Sequence, residues 1–228
     1  MTRIDFSGYG LDEHDLKLFD VDYDIVVREG EVANLGVISC RIAVLNGGFL
    51  RVGTVCGGGH VVVFDGGLAM VGEVRDGTTA PKVISTVDVL GQANITTVCT
   101  FAHVHVREEG RGFINEVFDY AKVFVAGRVT VGKVFDEGGV SLWKSSGGHA
   151  DIGEVSKRSH VDVMEGCTAT MTKVVEEASA VVRGAAIIGE LSRDSRVRVS
   201  GKTTIGKVAD RNSVVCEGGT MVTLVGAA

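Results

Sequence analysis

A parallel β-helix is the fold this sequence predicts, and three observations predict it. A four-residue phrase recurs with its first residue at Leu35, Val52, Val71, Ile95, Ile114, Val131, Ile152, Met171, Ile188, Ile205 and Met221, at spacings of 16–24 residues. The third letter of that phrase alternates in sign through Glu116, Lys133, Glu154, Lys173, Glu190 and Lys207, and ends on Thr223. Opposite charges attract across neighbouring strands and like charges repel, so the alternation implies segments stacked in register. Finally, 32 glycines accompany a single proline, Pro81, a balance that suits many short strands joined by tight turns.

Each coil can be divided further. Inside the phrase, Gly36, Gly53, Gly72, Gly132, Gly153, Gly189 and Gly206 mark one corner. Nine residues after the phrase begins, most coils show a second apolar alternation, such as Val61 and Val63, Val104 and Val106, or Val197 and Val199. Two residues before the phrase, a third inward position favours small side chains: Ala33, Ala69, Ala93, Ala150, Ala169 and Ala186. Three apolar stretches per coil predict an all-β solenoid of about eleven coils, roughly triangular in section. Apolar positions at offsets 0, 3, 9 and 11 do not follow a six-residue period, which argues against a hexapeptide-repeat helix and the acyltransferase reading that goes with it.

The first 34 residues do not carry the phrase. Residues 1–31 hold nine acids and three bases, leaving 20 acids and 20 bases in the remainder, so the whole net charge of −6 sits at the start. Leu11, Leu16, Leu18 and Phe19 suit a short helical turn, and residues 1–34 are expected to cap the first coil of a repeat domain spanning 35–228. A neutral repeat body lacks the basic stripe that nucleic acid requires. No apolar run approaches the length of a membrane span and no signal-peptide pattern opens the chain, so a cytoplasmic location is expected. The odd cysteine count, Cys40, Cys56, Cys99, Cys167 and Cys216, fits reduced thiols better than a disulfide framework.

Candidate chemistry is sparse. Asp20, Asp22, Asp24 and Glu31 match an EF-hand spacing, but Ile25 stands where the loop needs glycine, and the segment alternates like a strand. His60, His103 and His160 share the slot before the second apolar stretch, on coils too far apart to share one metal ion. Asp88 falls beside His105 on adjacent coils, where an exposed ion pair is expected. Phe118 and Phe135 should stack. No catalytic, cofactor-binding or metal residue is therefore assigned. Two departures from regularity, the insertions around Pro81 and from Trp143 to His149, are candidate partner-binding loops.

The segment VRVSGKTTIGKVADRNSVVCEGG, with its glycine corners and alternating Val and Ile, resembles the bactofilins, and the likeness extends over roughly Leu35 to Leu224. It implies a short-coil, right-handed β-helix and a polymer-forming protein. The sequence thus points to a non-enzymatic scaffold that binds protein, including itself through Met221, Val222, Leu224 and Val225. A carbohydrate-binding or carbohydrate-active β-helix of phage-tail or adhesin type is the alternative.

Overall fold

A computed structural model describes residues 23–76, 84–143, 147–209, 213–217 and 221–227. Short strands of three or four residues alternate with long strands of seven or eight, from Ile25–Val27 to Met221–Ala227. All short strands form one eleven-stranded parallel sheet, and all long strands form another. The chain is a β-solenoid of stacked coils, each hydrogen-bonded to the coils before and after it. At about 4.8 Å per strand, eleven strands stack to roughly 50 Å.

The three inward stretches of each coil are carried by two strands, because the long strand is bent. In Arg111–Val117 the buried residues are Gly112, Ile114 and Val117, while Asn115 and Glu116 both face outward. Pairing with Arg128–Val134 correspondingly passes over Asn115 and Gly132 and resumes at Glu116 opposite Lys133. This break in alternation is the corner that the phrase's glycines mark. Those glycines do not adopt positive φ. From Gly53 onward their Cα instead faces the carbonyl of the preceding coil: a Cβ on Gly153 would lie 2.4 Å from the oxygen of Gly132, so a side chain at these glycines requires the backbone to shift.

Positive φ is concentrated at another corner. Thr100–Phe101, Asp119–Tyr120, Asp136–Glu137, Lys157–Arg158 and Glu176–Glu177 occupy five successive turns, and all ten residues have φ between 46° and 67°. This conformation normally favours glycine. It is held by hydrogen bonds between coils, including Asp119 N to Asp136 O at 2.8 Å and Arg158 N to Glu176 O at 3.3 Å. Side chains reinforce the column through the Phe101–Tyr120 stack, with ring centroids 5.1 Å apart, and the Arg158–Glu137 ion pair at 3.3 Å.

The core runs without interruption from Val27 to Val208 and consists mainly of Val, Ile, Leu and Ala. Ten of the eleven phrase positions pair in the predicted register, from Leu35 opposite Val52 to Ile188 opposite Ile205. The charge ladder follows: Glu116 opposes Lys133, Lys133 opposes Glu154, Glu154 opposes Lys173, Lys173 opposes Glu190, and Glu190 opposes Lys207. Lys133 Nζ and Glu154 Oε1 meet at 2.8 Å. Their mutual hydrogen bond raises the lysine pKa and lowers that of the glutamate.

The final phrase is displaced. Ile205 pairs with Leu224, not Met221, and Lys207 pairs with Gly226, so Thr223 lies opposite Thr204 and outside the ladder. The last spacing is thus 19 residues, not 16, because LVGA and not MVTL occupies the phrase position. At the other end, pairing begins within the first 34 residues: Ile25–Val27 joins Ile42–Val44, and Val32 joins Phe49. The rest of the expected capping segment, residues 1–22, lies outside the described residues, as does Pro81.

Candidate functional site

Alternation in the short-strand sheet turns every second residue away from the core, and one outward slot is followed through the register by Ala43, Val62 and Asp88, then His105, Phe124 and Ser141. Ala43 and Val62 are fully buried although they alternate with core residues. With Tyr23 and Phe64 they form a second apolar cluster, separate from the core. Burial raises the Tyr23 pKa, and its hydroxyl has no hydrogen-bond partner among the described residues.

Asp88 borders this cluster. The expected exposed pair with His105 is not what forms, since Asp88 is buried and holds two other partners. Its Oδ2 lies 2.8 Å from His60 Nε2, and its Oδ1 accepts from Arg107 Nε at 3.0 Å and Nη2 at 2.6 Å. Burial opposes ionisation most strongly, yet the His60 hydrogen bond and the Arg107 charge keep the carboxyl below its ordinary pKa. His105, packed next to it, is pushed down to about 4, chiefly by burial. It is therefore a neutral ring at pH 7.

That neutral ring is part of an aromatic patch. His105 stacks on Phe124 at 4.8 Å, His103 meets Phe124 edge-on at 5.3 Å, and Trp143 meets it edge-on at 5.9 Å. Trp143 is 55% exposed. His105 and Phe124 share a slot and could be paired from the sequence. Trp143 follows the strand Gly139–Leu142 and reaches the patch from the neighbouring column, where strand periodicity gives no guide. His149 is not in a loop: it opens the strand His149–Val155, with Nδ1 2.7 Å from the Thr168 hydroxyl and Nε2 3.3 Å from Asp151.

His60, His103 and His160 do occupy one slot, separated by Thr86 and by Lys122 and Gly139. No group of three or more His, Cys, Asp or Glu among the described residues is arranged to hold a metal ion. Asp24 and Glu31 of the EF-hand spacing instead accept from the Arg41 and Arg28 amides; Asp20 and Asp22 lie outside the described residues. Phe118 and Phe135 stack at 4.9 Å.

The outer side of the long-strand sheet carries a groove of about 850 Å³. One wall is the slot just before the phrase: Asn34, Arg51, Met70, Asn94, Phe113 and Thr130, aligned on six successive coils. The other side is the corner column, low at Gly53, Gly72 and Gly132 and raised at Thr96 and Asn115. A sequence reading directed at inward residues passes over this outward slot, whose signal is the run Asn, Arg, Met, Asn, Phe, Thr at the position before each phrase.

At the far end, Val214–Cys216 and Met221–Ala227 are the last strands of their sheets. Ile205 is fully buried, but its neighbour Leu224 is 42% exposed and Val225 71% exposed. Among the described residues, no helix is long and apolar enough to cross a membrane. No protein-family model, curated protein or solved structure matches this chain.

Proposed function

We propose that this chain is a non-enzymatic interaction scaffold that joins a second copy of itself through its last coil and offers the Trp143 patch to a protein partner. The observation that carries this reading is the exposed apolar terminal coil. Leu224, Val225 and Val215 are solvent-accessible on the last strands of their sheets, and Leu224 is exposed where its inner neighbour Ile205 is sealed. Unpaired edge strands recruit further chains unless charge, proline or a covering segment protects them. Two such edges meeting about a two-fold axis bury the same patch twice and close the assembly. An exposed Trp packed on Phe124, which in turn packs on His103 and His105, has the composition of a protein-binding hot spot.

Light scattering coupled to size exclusion tests the self-association. The wild-type chain is expected to run as a dimer. Val215→Lys with Val225→Lys, both at exposed positions, is expected to give a folded monomer. A wild-type monomer at high concentration would overturn the reading, and long filaments would favour the polymer that the bactofilin resemblance implies.

A further inference from the structure

The groove on the long-strand sheet is independent of the Trp143 patch and the terminal coil, and its chemistry narrows what could fill it. It runs along the rod axis over six coils, or roughly 24 Å at 4.8 Å per coil, a shape that suits an elongated ligand. Its lining offers carboxamides at Asn34, Asn94 and Asn115, hydroxyls at Thr96 and Thr130, and one guanidinium, Arg51. Carboxamides and hydroxyls both donate and accept hydrogen bonds. Phe113, 48% exposed, and Met70 add an apolar surface beside them.

Other occupants fit less well. A nucleic acid or another polyanion requires several cations along its track, and the lining has one. An extended peptide gains affinity by pairing with a free sheet edge. Here the groove-lining strands from Phe49–Val55 to Arg128–Val134 are already paired on both sides, and only Val32–Ile38 stands at a sheet end. A peptide lying along the groove would cross these strands and could not pair with that edge along its length. An apolar helix or acyl chain would leave the three asparagines' amides desolvated and unpaired. An uncharged polyhydroxylated chain satisfies the amides along its length and places its apolar ring faces on Phe113 and Met70.

We infer that this groove binds a neutral oligosaccharide lying parallel to the rod axis, with Phe113 as its stacking surface and Asn94 and Asn115 as its hydrogen-bonding groups. The inference does not rest on the scaffold reading, since a monomeric chain would present the same groove.

Calorimetric titration of the full chain with neutral hexasaccharides of the cello, malto, laminari, manno and xylo series provides the test, with oligogalacturonate and oligothymidylate as anionic probes. At least one neutral series is expected to bind. Phe113→Ala and Asn115→Ala, both at exposed positions and checked for an unchanged melting profile, should each weaken that binding about fivefold to tenfold. Ile187→Ala, in the same slot three coils beyond the groove, should leave it unchanged. Absence of binding by every neutral series at millimolar concentration, tighter binding of an anionic probe, or affinity unaltered by both groove variants would each overturn the proposal.

Discussion

Asp88 and His105 show how a residue's environment in this rod differs from its place in the sequence. Alternation puts both on the outside of a strand, where an exposed pair would contribute little. The apolar neighbours that enclose Asp88 were not legible, because Tyr23, Ala43, Val62 and Phe64 come together from three coils and alternate with core residues that mask them in the pattern. The consequence is a pH dependence. His105 titrates at about 4 when folded, below its unfolded value of about 6.5, so the unfolded chain binds the extra proton between those values. Stability is thus complete above pH 6.5 and falls as pH drops toward 4, by an amount on the order of 2–3 kcal/mol from this residue. His103 and His160, also lowered mainly by burial, act in the same direction. Melting temperatures between pH 7.5 and 4.5 should show this loss, and His105→Gln should flatten the curve. A backbone counterpart is available in two glycines. Gly153→Ala should destabilise by about 1–3 kcal/mol through its clash with the Gly132 carbonyl. Gly139→Ala, whose nearest contact would be 3.8 Å away, should be close to neutral in the same denaturant titration.

At the level of the strand, the inward pattern and the charge ladder were read from sequence because both obey one rule: what points to the same place on consecutive coils must be compatible. Val, Ile and Leu at the phrase position, and Glu against Lys two residues later, each state that rule independently. The rule weakens at the last strand, where MVTL and LVGA both supply two aliphatic residues three apart, and nothing charged follows to choose between them. Pairing settles on LVGA, which keeps Gly226 at the Lys207 position. The groove wall was missed for the opposite reason: an outward slot has no packing constraint, so its residues vary and show no periodicity. Lys173→Glu tests the ladder itself, placing three like charges in a row with Glu154 and Glu190. Each exposed contact is worth about 0.2–1 kcal/mol, so the melting temperature should fall modestly, and the deficit should shrink in high salt.

Among the described residues, each strand pairs only with those of the coils before and after it, so stability across the stack is a sum of coil and interface terms with the least protected coils at the ends. Hydrogen exchange should be slowest for amides in central strands such as Arg128–Val134 and fastest in Met221–Ala227, with protection declining toward the exposed coil. A dimer formed through Leu224 and Val225 should raise protection in those last strands as protein concentration rises.

The hydrogen bonds that join one coil to the next run along the rod, so a pull applied at the two chain ends loads them one row at a time and not all together. Such a geometry peels and does not shear. Held between a surface and a cantilever, the protein should lengthen in a series of small steps at low force, each releasing one coil. With 19 residues from Ile205 to Leu224, such a step corresponds to roughly 60 Å of extended chain at about 3.4 Å per residue. A single large rupture in force spectroscopy would show instead that the coils yield as one mechanical unit.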